Sequence, residues 1–172
     1  MAVALAPFEE DDVDRLLAWV ETDADLLEWA GFFIAAPLTR DKLLRYQARA
    51  ANPAERCRIF RAENPATGDV VGHAELSHIW PHLSARISRV LVAPEMRGRG
   101  IGTEIVMTVR DLAFAEHGVH RVDLGVASDN APAIACYRKA GFVPVGLWPD
   151  AMETSAGPID VQWMTAFRDG RA

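Results

Sequence analysis

A glycine-rich loop, Arg97-Gly98-Arg99-Gly100-Ile101-Gly102, lies between a predicted strand and a predicted helix. Glycines let the backbone approach a ligand closely, and free amides at the start of a helix attract an anion with help from the helix dipole. Arg97 and Arg99 add positive charge. We therefore expect Arg97 and the amides of Gly98, Arg99, Gly100, Ile101, Gly102 and Thr103 to hold a pyrophosphate.

Three kinds of phosphate-binding loop compete for this assignment. A nucleoside-triphosphate loop requires Gly-Lys-Ser or Gly-Lys-Thr after the glycines, whereas Ile101-Gly102-Thr103 contains no lysine. A dinucleotide fold places its loop after an early strand, with an acidic residue about 20 positions on. Here the loop lies past the middle of the chain. The third possibility is the pyrophosphate of coenzyme A.

Several other side chains could do chemistry. Glu75 lies in a predicted strand and could act as a base or belong to a solvated strand face; the two interpretations have equal weight. Cys136 has no base spaced to activate it, so an inert buried thiol is favoured over a nucleophile. The five histidines show no metal spacing, and no metal site is predicted. Trp29, Phe32 and Phe33 could line an acceptor pocket, but core packing is favoured.

The elements that must position these residues follow from periodicity and turn signals. Strands are predicted over residues 3–8, 57–63, 70–79, 86–92, 121–127, 142–148 and 159–167, with a closing loop over 149–158. Helices are predicted after residue 8 and after Thr39, which would be the N-cap. Two further helices are predicted over 102–117 and 131–140, and a glycine ends each of them. Residues 26–36 are predicted to form a loop or a short helix. Hairpins followed by strand–helix units predict an α+β fold, a mixed α/β sandwich around one sheet.

Composition narrows the class of protein. The chain has 172 residues, of which 50% are hydrophobic, which suits a single domain over 1–172. Its net charge of −6 argues against a nucleic-acid partner and weakly favours a cationic substrate. No apolar run approaches the roughly 18 residues of a membrane span, and residues 1–8 lack the features of a signal peptide. The two cysteines are far apart in sequence, which suits a reducing compartment. We expect a cytoplasmic protein with no membrane partner.

Two segments resemble the acetyl-CoA motifs of the GNAT acetyltransferase superfamily. The first is Val90-Leu91-Val92-Ala93-Pro94-Glu95-Met96 followed by the glycine loop, and the second runs Asn130-Ala131-Pro132-Ala133-Ile134-Ala135-Cys136-Tyr137-Arg138-Lys139-Ala140-Gly141-Phe142. Both occur in the family's order, separated by one helix and one strand. The resemblance covers residues 70–167 and is nearest the branch that includes ribosomal-protein N-terminal acetyltransferases.

The resemblance implies a particular geometry. The GNAT fold has one central mixed, mostly antiparallel sheet flanked by helices. The strands over 86–92 and 121–127 would be parallel neighbours that splay apart at the cofactor cleft. Pantetheine of acetyl-CoA would enter the gap and pair with Leu91 and Val92, as in strand addition. A bulge there would free an amide for the thioester oxygen, and Asn130 would bond the pantetheine or its neighbouring strand.

The resemblance also implies a reaction. A primary amine of a small molecule or of a protein N-terminus would attack the thioester of acetyl-CoA directly, with Tyr137 protonating the departing thiolate and no metal involved. Tyr137 could instead pack on the sheet. Many family members carry an acidic residue where this chain has Ser88, so the base is left open between Glu75 and other groups. The alternative function is a non-catalytic acyl-CoA sensor or structural domain. Family members are often dimers, and the closing hairpin with Trp148 and Trp163 could be a homodimer interface.

Overall fold

A computed structural model of the chain describes residues 2–154 and 157–169. Seven strands and five helices occur in these residues. The strands are β1 (Ala4–Pro7), β2 (Arg58–Glu63), β3 (Val70–Trp80), β4 (Ser84–Val92), β5 (Arg121–Ala127), β6 (Val143–Thr154) and β7 (Gly157–Phe167). The helices are α1 (Asp11–Trp19), α2 (Asp23–Ala30), α3 (Arg40–Ala48), α4 (Ile101–His117) and α5 (Ala131–Lys139).

All seven strands form one sheet, in the order β1-β2-β3-β4-β5-β7-β6. Among these described strands, β4 and β5 are the one parallel pair, and every other neighbouring pair is antiparallel. The predicted mixed, mostly antiparallel sheet is therefore confirmed. The change of direction between β4 and β5 divides the sheet into an N-terminal part of four strands and a C-terminal part of three.

Helices cover both faces of the sheet, each over its own apolar core. On one face, α4 packs on β3 and β4 through Ile105, Val106 and Val109, which are fully buried. On the other face, α1, α2 and α3 enclose a second core that includes Leu16, Trp29 and other buried side chains. The two faces therefore differ in composition: the α1–α3 side is rich in aromatic rings, whereas the α4 side is mainly aliphatic.

Local sequence signals explain where most helices begin. Thr39 caps α3 by accepting a hydrogen bond from the amide of Lys42 (3.3 Å), as its position predicts. Thr22 and Asp25 form a reciprocal capping box at the start of α2. Helix α2 occupies residues 23–30, so the interpretation of residues 26–36 as a loop or short helix missed its first turn.

The closing hairpin is longer than predicted. The prediction placed a loop over 149–158, but β6 continues to Thr154 and β7 begins at Gly157. Pro149 and Asp150 begin the predicted loop. The structure accommodates both in an edge strand, where a missing amide breaks no ladder bond. The pairing shifts register between Trp148 and Met152, and Asp150 has a positive φ of 49°. The proline and the turn residue therefore form a bulge instead of ending the strand.

Candidate functional site

A gap opens between the two parallel strands. β4 and β5 pair only over Ser84–Arg86 and Arg121–Asp123, at the start of each strand. Beyond this point β5 stays paired with β7 as far as Ala127, while β4 stays with β3 as far as Val92. The strands consequently diverge and enclose a cleft of about 480 Å³. This is the splayed arrangement that the resemblance implied.

A bulge lies in the wall of this cleft. The pairing of β3 with β4 passes from the His73–Leu91 pair to the Glu75–Ser88 pair, so β4 contains one extra residue. Arg89 has a φ of 52°, in the left-handed region that residues other than glycine rarely adopt. A bulge leaves backbone groups free of the ladder and redirects side chains. The bulge therefore interrupts the ladder in the wall of the cleft, close to Leu91.

Five of the predicted cofactor residues line the cleft. Its lining includes Leu91, Val92, Arg97, Asn130 and Tyr137. The remaining predicted residues do not line the cleft itself and follow Arg97 directly along the chain. They are Gly98, Arg99, Gly100, Ile101, Gly102 and Thr103.

The glycine loop leads into α4 without a side-chain cap. Gly100 is the N-cap residue and has a φ of 81°, which strongly favours glycine. The first helical hydrogen bond runs from the amide of Glu104 to the carbonyl of Gly100 (3.2 Å). The amides of Ile101, Gly102 and Thr103 precede that bond and are the unpaired donors of the helix start. Together with Arg97 they form an arrangement suited to an anion.

Asn130 links both sides of the cleft. Its side-chain oxygen accepts a hydrogen bond from the amide of Ala133 (3.0 Å) and caps α5. Its side-chain nitrogen donates to the carboxylate of Glu28 on α2 (3.0 Å). The amide nitrogen carries two hydrogens, so a second donor remains for the pantetheine contact that the resemblance implied.

Tyr137 and Cys136 are neighbours on α5 with different surroundings. The Tyr137 hydroxyl makes no hydrogen bond within the described residues, and burial raises the pKa of the phenol well above its ordinary value. The group is therefore protonated at neutral pH and able to donate. The Cys136 thiol accepts a hydrogen bond from Thr103 (3.4 Å), and burial raises its pKa, which agrees with the inert thiol that the sequence favours.

Glu75 does not lie on a solvated strand face. Its side chain is fully buried beneath α3 and bonded to two arginines, Arg89 and Arg49. Burial alone would raise the pKa of this carboxyl, but the hydrogen bonds and charge of Arg89 outweigh it and hold the pKa below its ordinary value. Since Glu75 does not line the cleft and its lone pairs are engaged, the geometry does not favour the predicted base role.

Several contacts in the walls of the cleft were not predicted from the sequence. The Trp29 indole donates to the carbonyl of Arg89 (2.9 Å), which ties α2 to the bulge. Arg86 lies over the ring of Trp163 at 4.6 Å, and both side chains line the cleft. Opposite charges at Glu75 and Arg89, on consecutive predicted strands, were a usable signal for the ion pair. The other contacts join residues far apart in sequence, and no local pattern reveals them.

The aromatic segment at the end of α2 divides between core and surface. Trp29 is buried, whereas Phe32 and Phe33 are exposed, so the expected core packing holds for Trp29 alone. The guanidinium groups of Arg49 and Arg89 lie 4.4 and 4.2 Å from the centre of the Phe33 ring. Cation–π contacts of this kind stabilise an exposed ring without burying it.

The sequence predicts neither a metal-binding cluster nor a membrane-spanning helix. Across residues 2–154 and 157–169, no cluster of three or more His, Cys, Asp or Glu side chains is placed to bind a metal ion. Within the same residues, no helix combines the length and the apolar character that crossing a membrane requires.

Known proteins share this sequence pattern and this fold. The model of the acetyltransferase (GNAT) family matches residues 9–142. Streptothricin acetyltransferase of Streptomyces lavendulae is 39% identical over 82 residues, which are 48% of this chain and 43% of that protein. N-alpha-acetyltransferase RimI of Mycobacterium tuberculosis is 39% identical over 82 residues, 46% of this chain and 49% of that protein. The matched regions thus span less than half the length of these two relatives.

A solved structure agrees over nearly the whole chain. Spermidine N-acetyltransferase from Vibrio cholerae, in complex with CoA and spermine, superposes with a TM-score of 0.84 at 22% identity and covers 98% of this chain and 96% of its own. At this level of identity the likeness concerns the fold. Because the family match spans both the glycine loop and the Tyr137 helix, this chain belongs to the acetyltransferase (GNAT) family.

Proposed function

We propose that the chain is an N-acetyltransferase that moves an acetyl group from acetyl-CoA to a primary amine by direct attack. The observation that carries the proposal is the divergence of β4 and β5 beyond Arg86, with Leu91 and Val92 along one wall. A gap between splayed strands accepts an extended ligand, and the uncapped start of α4 provides donors for its phosphates. The streptothricin, spermidine and RimI relatives support this reaction class.

The residues proposed for the cofactor divide by chemistry. Leu91 and Val92 would pair with the pantetheine through backbone groups, and Asn130 would bond it from the opposite side. Arg97 and the amides of the glycine loop would hold the pyrophosphate. The loop residues are Gly98, Arg99, Gly100, Ile101, Gly102 and Thr103. When bound, acetyl-CoA supplies the thioester carbonyl carbon to which the amine adds.

The reaction itself requires little from the protein. Backbone amides released by the bulge at Arg89 would stabilise negative charge on the carbonyl oxygen. Tyr137, kept protonated by burial, would donate a proton to the departing sulfur. Asp25 and Glu28 on α2 line the cleft and supply negative charge. Those carboxylates and the net charge of −6 favour a cationic amine over an anionic one.

An acceptor screen tests the proposal. Thiol release from acetyl-CoA would be followed with spermidine, an aminoglycoside, L-lysine and a short peptide with a free α-amine. Release that depends on one of these amines supports the transferase. Binding of acetyl-CoA without thiol release for any amine would instead support a non-catalytic acyl-CoA sensor. Lack of acetyl-CoA binding by calorimetry would contradict both.

We also propose the wider setting of this enzyme. The continuous seven-stranded sheet supports one domain over 1–172. The acidic balance supports a protein without a nucleic-acid partner, and the two unpaired cysteines support a cytoplasmic location without a membrane partner. The edge strand β6 exposes Val145, Leu147 and Trp148, which supports a homodimer formed through the closing hairpin.

A further inference from the structure

The proposed reaction leaves one proton without an assigned acceptor. As the amine nitrogen bonds to the carbonyl carbon it becomes positively charged and acidic, so a neighbouring group must take its proton. Glu75 is poorly suited to this because its carboxylate is buried and engaged by Arg89 and Arg49. The acceptor must instead be reachable from the cleft and connected to solvent.

Ser88 meets the first requirement. It lies on β4 just before the bulge and lines the cleft. Its hydroxyl oxygen is 3.1 Å from that of Ser77 on β3, within hydrogen-bonding distance. Ser77 is buried, with only 1% of its surface exposed. The Ser77 hydroxyl therefore connects to the cleft through Ser88.

His78 meets the second requirement. Its Nδ1 is 3.1 Å from the hydroxyl oxygen of Ser77, and the residue is exposed to solvent. Successive residues of a regular strand point to opposite faces of the sheet, which would separate Ser77 from the His78 ring. At this point the β3–β4 register is irregular and His78 has a φ of 49°. This local departure from strand geometry is associated with the contact between the two side chains.

The charges around His78 favour its neutral form. Burial is the main reason that its pKa lies below the ordinary value, and the charge of Arg86 acts in the same direction. Arg89 and Arg49 also lower the pKa, whereas Glu75 raises it. At pH 7 the ring is therefore mostly neutral and has one free nitrogen that can accept a proton.

We propose that Ser88, Ser77 and His78 form a proton relay from the cleft to solvent, an inference that rests on the proposed acetyl transfer. The ammonium first loses one proton to water, which gives the neutral amine. As the lone pair of this amine forms the C–N bond, one amine proton passes to the Ser88 oxygen. The Ser88 proton passes to Ser77, and the Ser77 proton to Nδ1 of His78. The C–S bond breaks with its electron pair on sulfur, which takes a proton from Tyr137. The His78 imidazolium then releases one proton to water, and the Tyr137 phenolate takes one proton from water.

In this scheme Ser88 is the catalytic residue because it touches the acceptor amine. Ser77 and His78 are positioning residues that act through it. A second contact of the Ser77 hydroxyl, to the carbonyl of Arg86, is longer at 3.4 Å. If Ser77 and Ser88 were only structural, their hydrogen bond would not require His78. Turnover would then not depend on which nitrogen of the His78 ring carries the proton.

A measurement on the resting protein tests the relay without requiring turnover. The relay needs neutral His78 to carry its proton on Nε2, so that Nδ1 accepts from Ser77. Imidazole ¹⁵N spectra report this tautomer, and His78→Asn identifies the signal while tolerating the positive φ. We expect an unprotonated Nδ1 and a changed His78 signal in Ser77→Ala. A ring that carries its proton on Nδ1 would overturn the relay.

Kinetics with the best amine of the screen form the second arm. We expect Ser88→Ala to lower kcat by about 10-fold to 100-fold with unchanged KM for acetyl-CoA, and Ser88→Thr to recover most of the loss. His78→Asn should make the decline in kcat/KM at acidic pH less steep and leave only the part caused by protonation of the amine, whereas His120→Asn, beside Arg168, should keep the wild-type slope. Wild-type turnover in Ser88→Ala overturns the relay alone. Absence of thiol release from the wild type with every amine overturns the proposed function and the relay together.

Discussion

The guanidinium of Arg89 donates two hydrogen bonds of 2.6 Å to the carboxylate of Glu75, from Nε to Oε2 and from Nη2 to Oε1. The Glu75 side chain has no exposed surface and that of Arg89 has 10%. Arg89 is also the residue with positive φ in the β4 bulge. The ion pair therefore fixes the residue that shapes the wall of the cleft, and the Trp29 indole holds its carbonyl from the other side.

Breaking this pair should cost stability. Glu75→Gln leaves the Arg89 charge buried without its partner, and we expect a loss of about 3 kcal/mol in the free energy of unfolding. The pKa of Glu75 is lower in the folded protein than in the unfolded chain, so its ionisation stabilises the fold. This stabilisation is fully present above the unfolded-state pKa of about 4.3 and is lost as pH falls through the lower folded-state pKa. The variant should therefore show a shallower decline in acid. Denaturant titrations across pH measure both effects.

The control is Glu116→Gln, which removes a carboxylate from an exposed pair with Arg58. Its cost should stay below about 1 kcal/mol because water screens the pair. Equal losses in the two variants would contradict the role assigned to burial.

His73 should make the fold sensitive to mild acid. Its ring is buried and bonded to the Tyr46 hydroxyl (3.0 Å), and burial lowers its pKa to about 3. Between this value and the unfolded value of about 6.5, the unfolded chain binds more protons, so stability falls as pH decreases by up to about 1.4 kcal/mol per pH unit. In His73→Gln the slope of unfolding free energy against pH should be smaller over this window. An unchanged slope would mean that His73 is charged in the folded protein.

Gly100 should be required for the cofactor rather than for the fold. Gly100→Val places a branched side chain at a φ of 81° beside the proposed pyrophosphate site, and we expect acetyl-CoA affinity to fall more than tenfold, about 1.4 kcal/mol or more. Gly68→Val is a matched control, since Gly68 has a φ of 78° in a turn away from the cleft and an added Cβ would be equally uncrowded. Calorimetry that finds full affinity in a folded Gly100→Val protein would remove the pyrophosphate assignment.

Tyr137 should act on turnover rather than on binding. Tyr137→Phe keeps the ring, which lies 6.3 Å from that of Phe142, and removes only the donor. If the hydroxyl protonates the thiolate, kcat should fall by about 10²-fold while acetyl-CoA affinity hardly changes. The other tyrosine supplies the comparison: Tyr46→Phe loses the bond to His73 and should lower stability with little effect on kcat. Wild-type kcat in Tyr137→Phe would make Tyr137 a packing residue.

The exposed edge of the closing hairpin should govern assembly. Leu147 and Trp148 are 49% and 59% exposed on β6. If they form the homodimer interface, sedimentation at micromolar concentration should give the mass of a dimer, and Leu147→Lys should shift it to the monomer. Leu83→Lys, at an exposed apolar position off this strand, should leave the dimer intact. A wild-type monomer would end the proposal.

The glycine loop and the Asn130-to-Phe142 block were recognisable from sequence because their chemistry is local. A helix start needs its glycines and arginines within a few residues, and α5 needs its cap and terminal glycine at fixed spacing. The same holds for Thr39 at the start of α3 and for the alternation of β5. Pro149 and Asp150 show the limit of such signals, since an edge strand tolerates residues that would end a central one.

What the sequence by itself determined is the family, the order of strands and helices, and the segments that meet at the cleft. What only the tertiary structure decided is the state of each polar group there. Glu75, Ser77 and Ser88 all appear as ordinary strand residues, and their environments depend on α3 covering one face and on a single extra residue in β4. Burial and cross-strand register set ionisation and hydrogen bonding, and both arise from contacts between residues distant in sequence. The buried ion pair at Glu75 and the Ser88–Ser77–His78 contacts therefore became visible only in the folded chain.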